Sequence, residues 1–196
     1  MNSDRFKQVI AEIDAANALD PDQQLSDNAA DRPAALVYGE RMSTVLERLY
    51  PDASELLKLA ARAQHIQRWT IPRSNYPMDR PGYLQWRNHL KRLHADLAGD
   101  IMGRCGYNAA EIARVQSLLR KENFKRDPEG QALEDTACIV FLDYYADEFA
   151  TKHDDGKMIT ILKKTWIKMS DTGRQAAMAL SLSEKLRGLI GSALAA

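Results

Sequence analysis

Three of the four histidines, His65, His89 and His94, fall within residues 58–104, where nine Lys and Arg stand against three Asp and Glu. Imidazole and carboxylate are donors that first-row divalent ions accept, so these rings gain interest if an interior acid joins them. Asp135 is such an acid. It lies in the run LEDTACIVFLDYYADEF at 133–149, whose apolar side chains cover almost the whole circumference of a helix. An ionised carboxylate among Cys138, Ile139 and Leu142 is costly unless a cation, an Arg or a metal compensates it, which points to a ligand or ion-pair role. Three imidazoles and a buried acid from separate helices would suit Mn, Fe, Co, Ni or Zn. No H-E-x-x-H spacing occurs, so folding itself must bring the donors together.

The same basic block suggests a second chemistry. Positive charge concentrated beside imidazoles is what a phosphate-bearing small molecule requires, because Arg can hold phosphate oxygens bidentately. A solvated helix face explains such a block equally well. On a helical wheel over 52–69, Leu56, Leu59, Ala60 and Ala63 gather on one side, while His65 falls opposite, beside Arg62 and Trp69. His65 therefore either lines a pocket or sits at the surface. His94 shares its face with Leu90, Leu97 and Ile101, where a hydrogen-bonded core histidine is the alternative to a ligand.

Other templates find no support. No phosphate-cradling G-x-x-x-x-G-K-[ST] loop, G-x-G-x-x-G turn or G-x-S-x-G elbow occurs. Cys105 and Cys138 have neither zinc-knuckle nor disulfide-framework spacing, and Cys138 in an apolar helix is a poor thiolate. Lys163, Lys164, Trp166 and Lys168 mix cations with an aromatic ring, but cations at a helix C-terminus are the simpler account, and nucleic-acid binding is disfavoured.

The elements that would carry these residues are helical throughout. Apolar side chains recur at helical spacing, and no alternating run reads as a strand. Helices are expected around Phe6 to Ile13 and over 33–49, 52–69, 82–102, 108–121, 129–149 and 156–168, with a less distinct pair over 171–194. Asp52 with Glu55 has capping-box spacing. The polar stretch 20–32 and the stretch 70–81, with Pro72, Pro77 and Pro81, are loops. The expected architecture is one all-α domain, a single-domain helical bundle over 1–196.

At 196 residues and 45% hydrophobic content, the chain can bury one sizeable core, and fibrous or wholly disordered classes are excluded. Twenty-seven cations balance twenty-seven anions, so no polyanion-wrapping or acidic-membrane role follows from bulk charge. The N-terminus lacks a signal-peptide pattern and no long uncharged apolar span appears, so no membrane association and a cytoplasmic location are expected. Leu186, Leu189 and Ile190, read as exposed, leave room for a homodimer contact.

Several motifs resemble those of the domain of unknown function 4202 family. They are Tyr38-Gly39-Glu40-Arg41-Met42, the run LAARAQHIQRW at 59–69, Pro72-Arg73 with Tyr76-Pro77, Gly82-Tyr83-Leu84-Gln85-Trp86-Arg87, Leu133-Glu134-Asp135, and Lys164-Thr165-Trp166 with Lys168-Met169-Ser170. More distantly, Arg62-x-x-His65 and the late Asp135 resemble the first and last metal elements of HD-domain metal-dependent phosphohydrolases, which are all-α. The middle His-Asp pair is missing, since His94-Ala95-Asp96 interposes a residue. That resemblance implies His65, His94 and Asp135 as ligands, with His89 or Asp96 completing the set. It also implies metal-assisted hydrolysis of a phosphorylated small molecule or nucleotide, with Glu134 or Asp96 as general base. Arg62, Arg68, Arg73, Arg87 and Lys91 would then hold phosphate, and Trp69, Tyr76, Tyr83 and Trp86 would stack on a base or pack in the core. The competing expectation is a non-catalytic helical module that binds a ligand or a protein.

Overall fold

A computed structural model describes residues 4–26, 30–122 and 126–195. The fold is all-α apart from one small hairpin. Helix α1 (Asp4–Asn17) leads into strands β1 (Gln23–Leu25) and β2 (Asp31–Pro33), which pair antiparallel with Gln24 opposite Arg32. The expected loop at 20–32 is therefore partly a hairpin, with 27–29 outside the described residues. Asp20 explains why the hairpin forms. Its carboxylate accepts from the amides of Asp22, at 3.0 Å, and Ala35, at 2.9 Å, which clamps the chain onto the first turn of α2 (Ala34–Leu49).

Helix α3 (Glu55–Ala63) departs from the sequence expectation at both ends. Its cap is Ser54, whose hydroxyl accepts from Leu57 N at 3.1 Å, and not Asp52. It ends six residues short of Trp69 because the buried Asn17 side chain accepts from Gln67 N at 3.1 Å and holds Gln67 in the left-handed region, φ 49°. His65 consequently stands on a turn, and the wheel that placed it on a helix face does not apply.

Two short 3₁₀ turns, Arg68–Thr70 and Arg73–Asn75, shape the proline-rich loop. Helix α4 (Arg80–Arg104) then starts behind an Asp79 cap with Pro81 in its first turn. Gly82 is required there: a Cβ would come within 2.1 Å of the Pro77 carbonyl oxygen, so the loop lies directly on the helix backbone. Helix α5 (Ala109–Arg120) carries a full Asn108–Glu111 capping box and closes on Lys121 at φ 59°.

The expected 129–149 helix is two, α6 (Pro128–Tyr144) and α7 (Ala146–Thr151), broken where Tyr145 leaves helical geometry. Helices α8 (Asp155–Lys168), α9 (Asp171–Met178) and α10 (Glu184–Ala195) complete the chain. Helix α6 is the central element, packed by α2, α3, α8 and α9. One continuous apolar cluster, including Met42, Leu59, Ile66, Met102, Ile139, Met158 and Leu186, joins the helices. Leu186 and Leu189 are buried in that cluster and Ile190 packs against it, so the dimer expectation loses the residues on which it stood. No described helix is long and apolar enough to cross a membrane.

Candidate functional site

An open cleft of about 780 Å³ lies between the start of α2, the α3–α4 connection, the first turns of α4, and one face of α6 and α8. The basic segment forms one wall. Arg68 stacks over Trp86, with the guanidinium carbon 4.6 Å from the ring centroid, and Trp86 is fixed by donating from Nε1 to the Ile71 carbonyl at 2.9 Å. Arg87 follows on α4, and Lys91 stands one turn behind it. Among the described residues, none of Arg68, Arg87 and Lys91 forms an ion pair. Burial, and then the nearby Arg87, hold the Arg68 pKa below the ordinary arginine value; burial, Lys121 and Arg87 do the same to Lys91. Half-buried cations that repel one another and lack counter-ions form a site whose electrostatics call for an anion.

Among the described residues no acid of the cleft pairs with them directly, and the pull of Glu134 on Lys91 is outweighed by burial and the neighbouring cations. Asp20 is engaged in capping α2. Glu134, buried on α6, accepts from Lys121 and lies 3.3 Å from Lys168. Burial raises its pKa, but the two lysines outweigh burial and hold the carboxyl below the usual range, so Glu134 is an ionised counter-ion and a weak base. Glu134→Gln is expected to leave Lys121 and Lys168 without their shared counter-ion, lowering the melting temperature and raising the accessibility of both amines to acylation. A thermal melt and an acylation time course read the two effects.

Aromatic rings supply the remaining wall. Trp69, Tyr83 and Trp86 line the cleft, joined by Tyr38, Phe141, Tyr145 and Phe149, whereas Tyr76 does not. Tyr38 stacks on His65 with centroids 4.0 Å apart and planes at 18°, and Tyr145 is fixed from the other side by a 3.0 Å hydrogen bond from Gln24. The sequence alone assigns no role to Tyr38, Gln64, Lys121 or Tyr145, and it marks Lys168 only as a cation near a helix C-terminus. Three of them, Tyr38, Gln64 and Lys168, nevertheless lie inside the motifs that carry the family resemblance.

The proposed metal donors are dispersed. His65 and His94 are neighbours, their ring centroids 5.9 Å apart. His94 Nδ1 lies 2.8 Å from the Ile66 carbonyl oxygen. Asp135 is fully occupied elsewhere: Oδ1 accepts from Ser170 N at 2.8 Å and Gln131 Nε2 at 3.0 Å, and Oδ2 accepts from Tyr50 at 2.6 Å and from the Ser170 hydroxyl. Ser170 caps α9 with its own hydroxyl, and Asp135 holds that cap residue in place, so the carboxylate sits at the helix N-terminus, which compensates its charge. A Cβ at Gly173 would come within 2.7 Å of Oδ1, which shows how closely α9 seats on the carboxylate. Burial and Asp135 push the Tyr50 phenol up to about 12, keeping it a donor.

The remaining assigned residues lie apart from the cleft or are occupied within it. His89 is exposed and bonded to Tyr76, and Asp96 is exposed and paired with Arg120 at 3.2 Å. Among the described residues, no three His, Cys, Asp or Glu side chains are disposed to hold a metal. The donor set does not fit the ion that the HD-like motif implies. Arg62 is likewise taken, donating to both oxygens of Asp14 at 2.6 and 2.7 Å. Arg73 lines the cleft, but its guanidinium pins the proline loop through the carbonyls of Tyr76, Pro77 and Asp79. Burial pushes the Cys138 thiol up to about 12, which leaves no thiolate in the cleft wall.

His65, in the cleft wall, and His94, buried behind it at a ring-centroid distance of 5.9 Å, are both neutral in the folded protein near pH 7. Burial drives His65 well below its ordinary pKa and His94 down to about 4. The unfolded chain would bind protons near pH 6.5 that the native chain refuses, so stability is full above that pH and falls as the pH drops towards 4. The expected cost is up to about 1.4 kcal/mol per pH unit for each ring. Urea midpoints at pH 7 and pH 5 measure it; equal midpoints would contradict this account of the two rings.

A family profile described as domain of unknown function (DUF4202) matches residues 7–190, and the chain belongs to this family. Among curated proteins and among solved structures, none matches the chain.

Proposed function

We propose that the cleft binds a phosphate-bearing small molecule with a planar ring, nucleotides being the class that fits best, and that the protein acts as a binding module for it. The observation that carries this reading is the convergence of Arg68, Arg87 and Lys91, half-buried and without carboxylate partners, beside a cleft walled by Trp69, Tyr83 and Trp86. Arg68 and Arg87 offer forked donors to phosphate oxygens, and Lys91 adds charge behind them. The indole and phenol rings offer faces to a base. Metal-assisted hydrolysis has less support, because Asp135 is spent on α9 and Glu134 on two lysines.

Calorimetric titration with adenosine 5′-monophosphate, ribose 5-phosphate and pyrophosphate, each beside its phosphate-free counterpart where one exists, tests the proposal. Phosphate-bearing ligands are expected to bind, their affinity falling as salt rises, and Arg87→Ala should weaken them by about tenfold or more. Equal binding of adenosine and its monophosphate, or no change in Arg87→Ala, would refute it.

A further inference from the structure

The cleft carries more positive charge than one phosphate group uses. Beyond Arg68 and Arg87, it is lined by Lys121 and Lys168, which come from the C-terminal ends of α5 and α8. Both ammonium groups turn to Glu134, Lys121 by donating to Oε2 and Lys168 at 3.3 Å from Oε1. One carboxylate between two lysines leaves the trio with a surplus positive charge. Each ammonium also has more N–H donors than one carboxylate contact uses, and among the described residues Glu134 is the acid that each contacts. Both side chains are reachable from the cleft, that of Lys168 being 50% exposed and that of Lys121 17%. The backbone at Lys121 points the same way. Its φ of 59° is a left-handed position that glycine occupies at least cost, yet a long cation stands there, so a use of the side chain offsets the strain.

The two groups of cations act on common neighbours. Besides burial, Lys121, Arg87 and Lys168 all oppose charge on Lys91, and besides burial, Arg68, Arg87 and Lys121 oppose it on His65. Charges that bear on the same side chains lie within reach of one another's fields rather than at opposite ends of the cleft. The packing of α5 along α4 brings this about, since it carries Lys121 towards the helix that holds Arg87 and Lys91.

We infer that Lys121 and Lys168, held by Glu134, form a second phosphate subsite beside Arg68 and Arg87, so that the cleft prefers a nucleoside di- or triphosphate to a monophosphate. The inference rests on the phosphate reading above and narrows it. Arg68 stacks on Trp86, one of the rings that would face the base, so the two arginines hold the phosphate nearer to the base. The lysines then take the outer phosphate as point charges, with the carboxylate of Glu134 fixing where the amines stand.

Titration calorimetry with adenosine 5′-diphosphate, adenosine 5′-monophosphate and pyrophosphate tests the subsite, in EDTA so that no divalent ion shields the phosphates. On wild-type protein the diphosphate is expected to bind about tenfold or more tighter than the monophosphate, the scale of one or two added charge-assisted hydrogen bonds. In Lys168→Ala the two nucleotides should come to within about threefold of each other while the monophosphate keeps its wild-type affinity, and Lys168→Arg, which keeps the charge, should retain the preference. A thermal melt checks folding, which the half-exposed Lys168 affects little because Glu134 keeps Lys121. Equal affinities of the two nucleotides for wild-type protein would overturn the inference without recourse to any variant, and so would a preference unchanged in Lys168→Ala. Pyrophosphate, lacking a base, should bind about tenfold more weakly than the diphosphate; equal binding would overturn the assignment to a nucleotide. Arg87→Ala keeps the two readings apart. If the monophosphate binds that variant as it binds wild type, the phosphate site itself fails; if it weakens there while wild type holds both nucleotides alike, the second subsite alone fails.

Discussion

Asp135→Ala is expected to lower the unfolding free energy by about 3–5 kcal/mol. The carboxylate is 0% exposed and is the common acceptor for Tyr50, Gln131 and both the amide and hydroxyl of Ser170. Removing it strands the Tyr50 and Ser170 donors in a partly buried setting, whereas Gln131 keeps its bond to the Lys168 carbonyl, and each stranded donor costs about 1–3 kcal/mol. It also takes the anion from the N-terminus of α9, so that helix should loosen first. Hydrogen exchange over Asp171–Met178 should rise more than elsewhere, and added Mn²⁺, Co²⁺ or Zn²⁺ should not shift the melting temperature of either protein. A wild-type protein stabilised by one of those ions, with the gain lost in Asp135→Ala, would restore the metal-ligand role.

The second large effect is expected at Arg62. Its side chain is 11% exposed and grips Asp14 of α1 with two nitrogens, with a weaker contact to Ser43 of α2. Arg62→Ala removes the tie between three helices and leaves Asp14 partly buried without its partner. Because Asp14 remains 29% exposed, the loss is expected near about 2–3 kcal/mol, below that of a fully buried pair. Chemical denaturation measures it. The affinity for adenosine 5′-monophosphate should stay within about twofold of wild type, since Arg62 is not among the residues lining the cleft. A large affinity loss in a folded Arg62→Ala protein would put this guanidinium back in the binding site.

These two residues also show what the sequence could and could not reveal. That Asp135 is interior and must be compensated follows from the apolar run around it. The compensating groups come from Tyr50 and from the start of α9, far along the chain, and no local pattern marks them. Arg62 belongs to the same basic block as Arg68 and Arg87, and composition cannot separate a cation spent on α1 from two left facing a cleft. Most helix limits were legible to within a few residues; at α4 the expected start is 82, whereas Asp79 caps the helix and Pro81, expected in the loop, lies in its first turn. The end of α3 was not legible, because a side chain from α1 decides it. Lys121 and Lys168 lie outside the 58–104 block and reach the cleft only through folding.

The most direct test of the central claim is to locate an anion. Crystals soaked in tungstate, a heavy analogue of phosphate, would report its position by anomalous scattering. The account predicts a peak within hydrogen-bonding distance of the Arg68 and Arg87 guanidinium groups that disappears in Arg87→Ala. Peaks only at the outer surface, or an unchanged peak in the variant, would contradict it.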